Sequence, residues 1–374
     1  PKTARVFEVA RTYRFKKGSG MPISIPVIDM VEIGAGGGSL AHVDAMKQIR
    51  VGPESAGSEP APASYGRGGA QPAVTDADLV LGKLDPEGFA GGAIPLNPVW
   101  AREALLREVG APLDMDALEA AWGVAEVVDE NMANAARVHA VENGEDLSGY
   151  TMIAFGGAAP LHAARLCEKL GIDRCLIPEG AGVGSAIGFL KAPFSFEANR
   201  TVFMRLAAFD AEAVTALFAE MQAEAQAFVR SCDAEAEVAT AQRVYMRYSG
   251  QGWDIPVDLT PEEAVAPTAK AFLAAFEAAY AALFDRTVEG MEVEVTVWSV
   301  NAFSRRAGAP AIAETPMRGS AATEATRRIF DTALGQDVEA AVVPRRALQP
   351  GQHVAGPALV TEDETTVVVS ASRA

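Results

Sequence analysis

Residues 151–176, TMIAFGGAAPLHAARLCEKLGIDRCL, carry the pattern that determines the fold class. An apolar segment typical of a strand runs into Gly156-Gly157, and a helix is predicted to open around Pro160. A second strand is predicted from Arg174 to Ile177, and the glycine-rich loop after it leads into another helix. This order of strand, helix, strand and helix predicts a parallel or mixed sheet with helical cover, and therefore an α/β fold.

The rest of the chain is predicted to divide into three regions. Residues 1–195 contain the α/β pattern, with helices over most of 97–142. Residues 196–305 alternate long helical and strand patterns, which predicts an α+β segment. Residues 306–374 contain short β-branched runs separated by turn residues, which is typical of a small β-rich C-terminal domain.

The composition excludes several classes of partner. The formal net charge is −17, whereas nucleic-acid binding requires Lys and Arg to neutralise phosphates and anionic membranes attract basic segments. No apolar run approaches the roughly 20 residues needed to span a bilayer. The three cysteines, Cys167, Cys175 and Cys232, show neither disulfide nor zinc spacing. We therefore expect reduced thiols and a cytoplasmic protein that binds neither nucleic acid nor membrane.

A glycine motif follows the first predicted buried strand, residues 23–32. Gly36, Gly37, Gly38 and Ser39 can bring backbone N–H groups close to an anion, or they can form a tight glycine crossing between strands. A dinucleotide-binding oxidoreductase would need a helix directly after these glycines. The alternation of the next residues instead predicts a hairpin around 45–47.

Two further motifs are candidates for chemistry. The loop Gly156-Gly157-Ala158 can lie against a purine or present helix N-terminal amides to phosphate, and His162 can act as a ligand or proton carrier or simply bond locally. Asp76 and Asp78 can share a cation, can act as base and orienter, or can cap a helix.

These motifs, taken in order, resemble the hydantoinase A/5-oxoprolinase/acetone carboxylase family. The resemblance rests on residues 18–44, 51–84, 155–166, 177–188 and 356–369. It implies an actin-like, Hsp70-like ATPase fold of the ribonuclease H-like type over residues 1–195, as part of an ATPase core.

The resemblance also implies an activity. Family members use ATP and Mg²⁺ to phosphorylate a carbonyl oxygen of a small-molecule substrate, either a cyclic amide that is then opened or a ketone that is carboxylated. Gly156, Gly157 and Ala158 fall on the family's adenosine-contacting loop, and residues 36–39 fall on its AGGGS motif. Asp76 and Asp78 fall on its TDAD motif, which makes them the candidate catalytic residues.

One departure concerns the phosphate-binding loops. The DxGGT-type loops of the superfamily do not occur in this sequence. We therefore expect this chain to work with a missing N-terminal half of the same protein and with a hydantoinase B-type subunit. A non-catalytic assembly domain is the alternative.

Overall fold

The computed structural model describes residues 3–8, 22–28, 30–305, 315–323 and 325–374. The strands are β1 (Thr3–Glu8), β2 (Pro22–Ile28), β3 (Ser39–Val43), β4 (Ile49–Ser55), β5 (Thr151–Ile153), β6 (Arg174–Leu176), β7 (Ser195–Arg200), β8 (Met204–Arg205), β9 (Val238–Tyr248), β10 (Ile255–Asp258), β11 (Val293–Ser304), β12 (Gly319–Ser320), β13 (Ala325–Asp331), β14 (Gln336–Pro344), β15 (Gln352–His353), β16 (Ala358–Thr361) and β17 (Thr366–Val369). The helices are α1 (Val74–Val80), α2 (Pro98–Leu105), α3 (Ala111–Leu113), α4 (Ala117–Glu142), α5 (Ala159–Leu170), α6 (Gly184–Lys191), α7 (Ala211–Cys232), α8 (Pro261–Val265) and α9 (Ala269–Phe284).

The chain forms two compact units, one of residues Pro1–Gly188 and Glu314–Ala374, the other of residues Phe189–Ala313. In the first unit, β5 and β6 are parallel, and α5 connects them. This confirms the predicted α/β pattern. The three-region division remains a prediction.

The helices of the first unit begin where the sequence offers a cap. The Asn97 side chain accepts hydrogen bonds from the first backbone N–H groups of α2, and Asp116 does the same for α4. Helix α4 then buries one continuous face that includes Ala121, Val124 and Val128, all fully inaccessible to solvent. Each valine side chain buried in this way stabilises the fold by roughly 1.5–3 kcal/mol.

The segment after Gly38 forms an antiparallel hairpin, in which β3 pairs with β4. No helix follows the glycines, so the dinucleotide-binding alternative is excluded. The expectation of a buried strand over residues 23–32 is wrong in part. Strand β2 ends at Ile28, Asp29 lies outside the described residues, and the side chains of Ile28, Met30 and Val31 are 58%, 51% and 41% exposed.

The C-terminal part of the first unit contains a four-stranded mixed sheet in the order β13-β14-β16-β17. Strands β14 and β16 are parallel, and the other two pairs are antiparallel. This sheet belongs to the same compact unit as residues Pro1–Gly188, and a separate β-rich C-terminal domain stays a prediction. Among the helices that the structure describes, none combines the length and the apolar character that crossing a bilayer requires.

The second unit is an α+β body. Its antiparallel sheet has the order β10-β9-β11-β7, with β8 also paired to β11. Helices α7 and α9 contribute Phe218, Met221, Phe272 and Phe276 to the core around Trp298. The indole N–H of Trp298 donates to the Val202 carbonyl at 2.8 Å, so this large buried side chain leaves no polar atom unsatisfied.

Candidate functional site

A cavity of about 1560 Å³ lies within the first unit. All three motifs of the sequence analysis contribute to its wall, through Gly37, Gly38, Thr75, Asp78, Gly157 and Ala158. A volume of this size exceeds the roughly 300–1,000 Å³ typical of a site for one drug-sized ligand. The volume therefore does not restrict the site to a single small ligand.

Hydrogen bonds join two of the three motifs at Gly37, and the third motif lies close to the same residue. The Gly37 carbonyl accepts hydrogen bonds from the backbone N–H and the hydroxyl of Thr75, both at 2.8 Å. A Cβ on residue 37 would lie 3.0 Å from the Thr75 hydroxyl oxygen and 3.3 Å from the Ala158 Cβ. The absence of a side chain at Gly37 therefore allows all three motifs to meet at one point of the cavity wall.

Three of the predicted nucleotide-binding residues do not line the cavity. The Ser39 hydroxyl accepts from the Gly36 N–H and donates to the Gly34 carbonyl, both at 3.0 Å, and so fixes the turn before β3. Gly156 has a φ of +113° and donates its N–H to the Ala181 carbonyl at 2.7 Å. Gly36, Ser39 and Gly156 therefore shape the loops on which the lining residues stand.

The two predicted catalytic carboxylates have different environments. Asp76 is fully buried and accepts three backbone hydrogen bonds, from the N–H groups of Ala63 at 3.1 Å, Ser64 at 2.8 Å and Ala73 at 2.8 Å. These bonds tie the loop of residues 63–64 to the first turn of α1. The contacts favour the capping alternative for Asp76, and the residue does not line the cavity.

Asp78 belongs to a buried network of charges at the cavity wall. One carboxylate oxygen lies 2.9 Å from the Lys83 ammonium, and the other lies 3.2 Å from Nε2 of His162. Nδ1 of His162 lies 2.7 Å from Asp129, whereas the approach of Nε2 to Asp78 is not aligned as a hydrogen bond. The network links α1, α4 and α5, and all four side chains are at least 95% buried.

The electrostatics of this network are nearly balanced. Burial opposes ionisation of Asp78, but the charges of Lys83 and His162 outweigh it and hold the pKa of this carboxyl well below its usual range. Burial likewise opposes protonation of His162, yet the Asp78 and Asp129 carboxylates raise its pKa to about 9. Two cations thus compensate two anions, which is what charges in a desolvated site require.

Residues on and beside the strands of the C-terminal sheet also line the cavity, and the sequence alone did not connect this sheet with a site. Arg345 donates to Glu362 at 2.8 Å and to the Ile177 carbonyl at 2.7 Å. Arg327 donates to Asp85 at 2.8 Å. These arginines follow or lie on strands without any local motif, so only the fold reveals that they line the cavity.

The residues that the structure describes contain no group of three or more His, Cys, Asp or Glu side chains placed to hold a metal ion. Both oxygens of Asp78 already face Lys83 and His162. The side chains described do not by themselves form a Mg²⁺ site, so Asp78 is not assigned as a ligand for this ion.

Comparison with known proteins connects both parts of the chain to one family. The Hydantoinase/oxoprolinase family matches residues 3–198, and the Hydantoinase/oxoprolinase C-terminal domain matches residues 205–374. The acetophenone carboxylase gamma subunit of Aromatoleum aromaticum is 31% identical over 370 residues, which are 93% of this chain and 49% of that protein.

Two solved structures have a similar fold. The nucleotide-free structure of an acetone carboxylase, described as ATP-dependent, superimposes with a TM-score of 0.79 at 26% identity, over 94% of this chain and 51% of that one. The ATP-dependent caprolactamase of Pseudomonas jessenii superimposes with a TM-score of 0.71 at 29% identity, over 93% of this chain and 51% of that one. The chain thus spans about half the length of the relatives it matches.

Proposed function

The chain belongs to the hydantoinase/oxoprolinase family, and on this premise we propose that it is part of an ATP-dependent enzyme that phosphorylates the carbonyl oxygen of a cyclic amide before ring opening. The observation that carries the proposal is the convergence of Gly37, Asp78, Gly157 and Ala158 on one cavity. Two relatives of known structure are described as ATP-dependent, which supports the use of ATP here.

The chemistry explains why such a reaction needs ATP. An amide carbonyl is resonance-stabilised, so water attacks it slowly. Transfer of the γ-phosphoryl group from ATP to the amide oxygen forms a P–O bond, releases ADP and makes the carbonyl carbon more electrophilic. Water then attacks this carbon, and the C–N bond of the ring breaks as the nitrogen leaves with a proton. Hydrolysis of the resulting acyl phosphate gives the carboxylate and inorganic phosphate. Phosphoryl transfer depends mainly on positioning and on electrostatic stabilisation of the transferred group. Mg²⁺, the ion that the family resemblance implies, would supply part of this stabilisation when bound.

Within this proposal, the loop Gly157-Ala158 contacts the nucleotide. It lies at the start of α5, where the helix dipole favours a polar or anionic ligand. Asp78 stays ionised at the cavity wall because Lys83 and His162 neutralise it. The actin-like ATPase fold, the N-terminal half of the enzyme and a B-type partner subunit belong to the same proposal.

An ATP-dependent ketone carboxylase is the second candidate. The similarity to an acetophenone carboxylase subunit along 93% of the chain favours it, as does the superposition on acetone carboxylase. Both candidates share ATP use and differ in the acceptor. Turnover of ATP with a panel of lactams and hydantoins on one side, and ketones with bicarbonate on the other, would separate them.

ATP binding is the experiment that tests the shared step. Isothermal calorimetry with Mg²⁺ would compare this chain with a form extended upstream to the length of the relatives, and we expect binding by the extended form. In that form, Gly157→Asp should abolish binding because it places a carboxylate on the proposed nucleotide-facing loop. Gly149→Asp is the matched control, since residue 149 is exposed and a Cβ there meets nothing within 4 Å.

The outcomes lead to different conclusions. If Gly157→Asp binds ATP as well as Gly149→Asp does, the loop is not the nucleotide site. If the extended wild-type protein does not bind ATP at all, the alternative of a non-catalytic assembly domain is favoured.

A further inference from the structure

The turn that joins β16 to β17, residues 362–365, lies against the proposed nucleotide loop. The Thr365 hydroxyl donates a hydrogen bond to the Gly157 carbonyl at 2.7 Å. Thr365 is only 6% exposed, so this hydroxyl has little access to competing water. A residue 208 positions away in the sequence thus fixes the orientation of one peptide group of the loop.

The same turn packs closely on Gly182, in the glycine-rich loop between β6 and α6. A Cβ on Gly182 would lie 2.3 Å from the Cβ of Glu364 and 2.8 Å from its carbonyl oxygen. A Cβ on Gly157 would lie 3.5 Å from that same carbonyl oxygen, which is ordinary contact. The close packing at Gly182 means that the turn cannot move toward this loop, and a side chain there would push it away.

The turn also lines the cavity, through Glu362, Asp363, Glu364 and Thr365. It therefore contacts the proposed nucleotide loop and the interior of the site at the same time. A threonine that only stabilised the C-terminal sheet could satisfy its hydroxyl within that sheet. Here the Thr365 hydroxyl instead donates its hydrogen bond outside the sheet, to the Gly157 carbonyl of the proposed nucleotide loop.

We propose that Thr365 is a positioning residue for nucleotide binding, which holds the Gly157 peptide in the orientation that receives ATP. The inference rests on the proposed function. It adds that the C-terminal sheet takes part in nucleotide binding although no nucleotide-binding motif occurs in its sequence. Thr365 acts through Gly157 and is not itself assigned a contact with the reacting atoms.

The test uses the upstream-extended protein and two substitutions at one position. Thr365→Val keeps the side-chain shape and removes the hydroxyl, whereas Thr365→Ser keeps the hydroxyl. We expect Thr365→Val to raise the KM for ATP about fivefold, the change that corresponds to the loss of one hydrogen bond. The value of kcat at saturating ATP should stay within about twofold, and Thr365→Ser should have a KM near that of the wild type.

Gly182→Ala provides a second variant that does not alter Thr365. The added methyl group should displace the turn of residues 362–365 and raise the KM for ATP, as Thr365→Val does. Gly188→Ala is its control, because a Cβ on residue 188 meets nothing within 4 Å. Melting temperatures of all four variants would separate loss of folding from loss of binding.

An unchanged KM for ATP in Thr365→Val, alongside normal ATP binding by the wild type, overturns this inference and leaves the proposed function standing. Equal effects of Thr365→Val and Thr365→Ser overturn it as well, since the hydroxyl would then not matter. Absence of ATP binding by the wild type removes both proposals together.

Discussion

The substitution Asp76→Asn isolates the structural role that the contacts of this residue indicate. The carboxylate accepts three backbone hydrogen bonds in a fully buried position. Asparagine has the same shape but only one acceptor oxygen. If that oxygen takes the position shared by the N–H groups of Ala63 and Ala73, the amide NH₂ faces the N–H of Ser64 and leaves it unpaired.

The magnitude follows from these three bonds. Hydrogen bonds to a charged group contribute about 1.5–3 kcal/mol each, and an unsatisfied buried donor costs about 1–3 kcal/mol. One bond is lost and two are weakened, so we expect the free energy of unfolding of the first unit to fall by about 3 kcal/mol. For a unit of this size that corresponds to a melting temperature lower by roughly 6–12 °C.

Differential scanning calorimetry of this chain would measure the effect. Asp114→Asn is the matched control, because Asp114 is exposed with a φ of +59°, a conformation that asparagine also tolerates. We expect the free energy of unfolding of the control to change by no more than about 0.5 kcal/mol. If the Asp76→Asn protein has the same melting temperature as the control but a lower ATP turnover in the extended protein, the structural interpretation is wrong and a catalytic role is supported.

Two further predictions concern the buried charge network. Because the folded-state pKa of His162 is raised to about 9, its stabilising contribution should be complete below the unfolded value of about 6.5 and lost as the pH rises through about 9. The urea midpoint of the wild type should therefore fall over this window, and a midpoint that falls equally in His162→Gln would refute the assignment. Lys83→Met should destabilise the first unit by about 3–5 kcal/mol because it leaves Asp78 buried without its ammonium partner. The double substitution Asp78→Leu/Lys83→Met should recover much of that loss in the same denaturation assay, and no recovery would argue against the ion pair as the cause.

The elements that the sequence predicted are those governed by local interactions. Residues 196–305, for which the sequence predicts alternating long helices and strands, contain helices α7 and α9 and strands β9 and β11. The hairpin after Gly38 was also predictable, since alternation and turn residues act over only a few positions. Local signals of the same kind also predicted β5, α5 and β6.

The different roles of Asp76 and Asp78 can be recognised only once both residues are known to lie on a helix. Residues two apart on a helix point in directions that differ by roughly 200°. Once α1 includes both carboxylates, they cannot share a cation or work side by side, and one faces the loop of residues 63–64 while the other faces His162. The motif alone did not show that the aspartates were helical, and this left the alternatives open.

By itself, the sequence determined the family, the α/β pattern and the order of the motifs, because these depend on residues near one another in the chain. Only the tertiary structure decided which of those residues share a cavity. Several contacts at the cavity wall join residues far apart in sequence. They are the contacts of His162 with Asp78 and Asp129, the hydrogen bonds of Arg327 and Arg345, and the bond from Thr365 to Gly157. Such contacts leave no periodic or compositional signal, since they arise when separate elements pack and must satisfy one another's charges and hydrogen bonds.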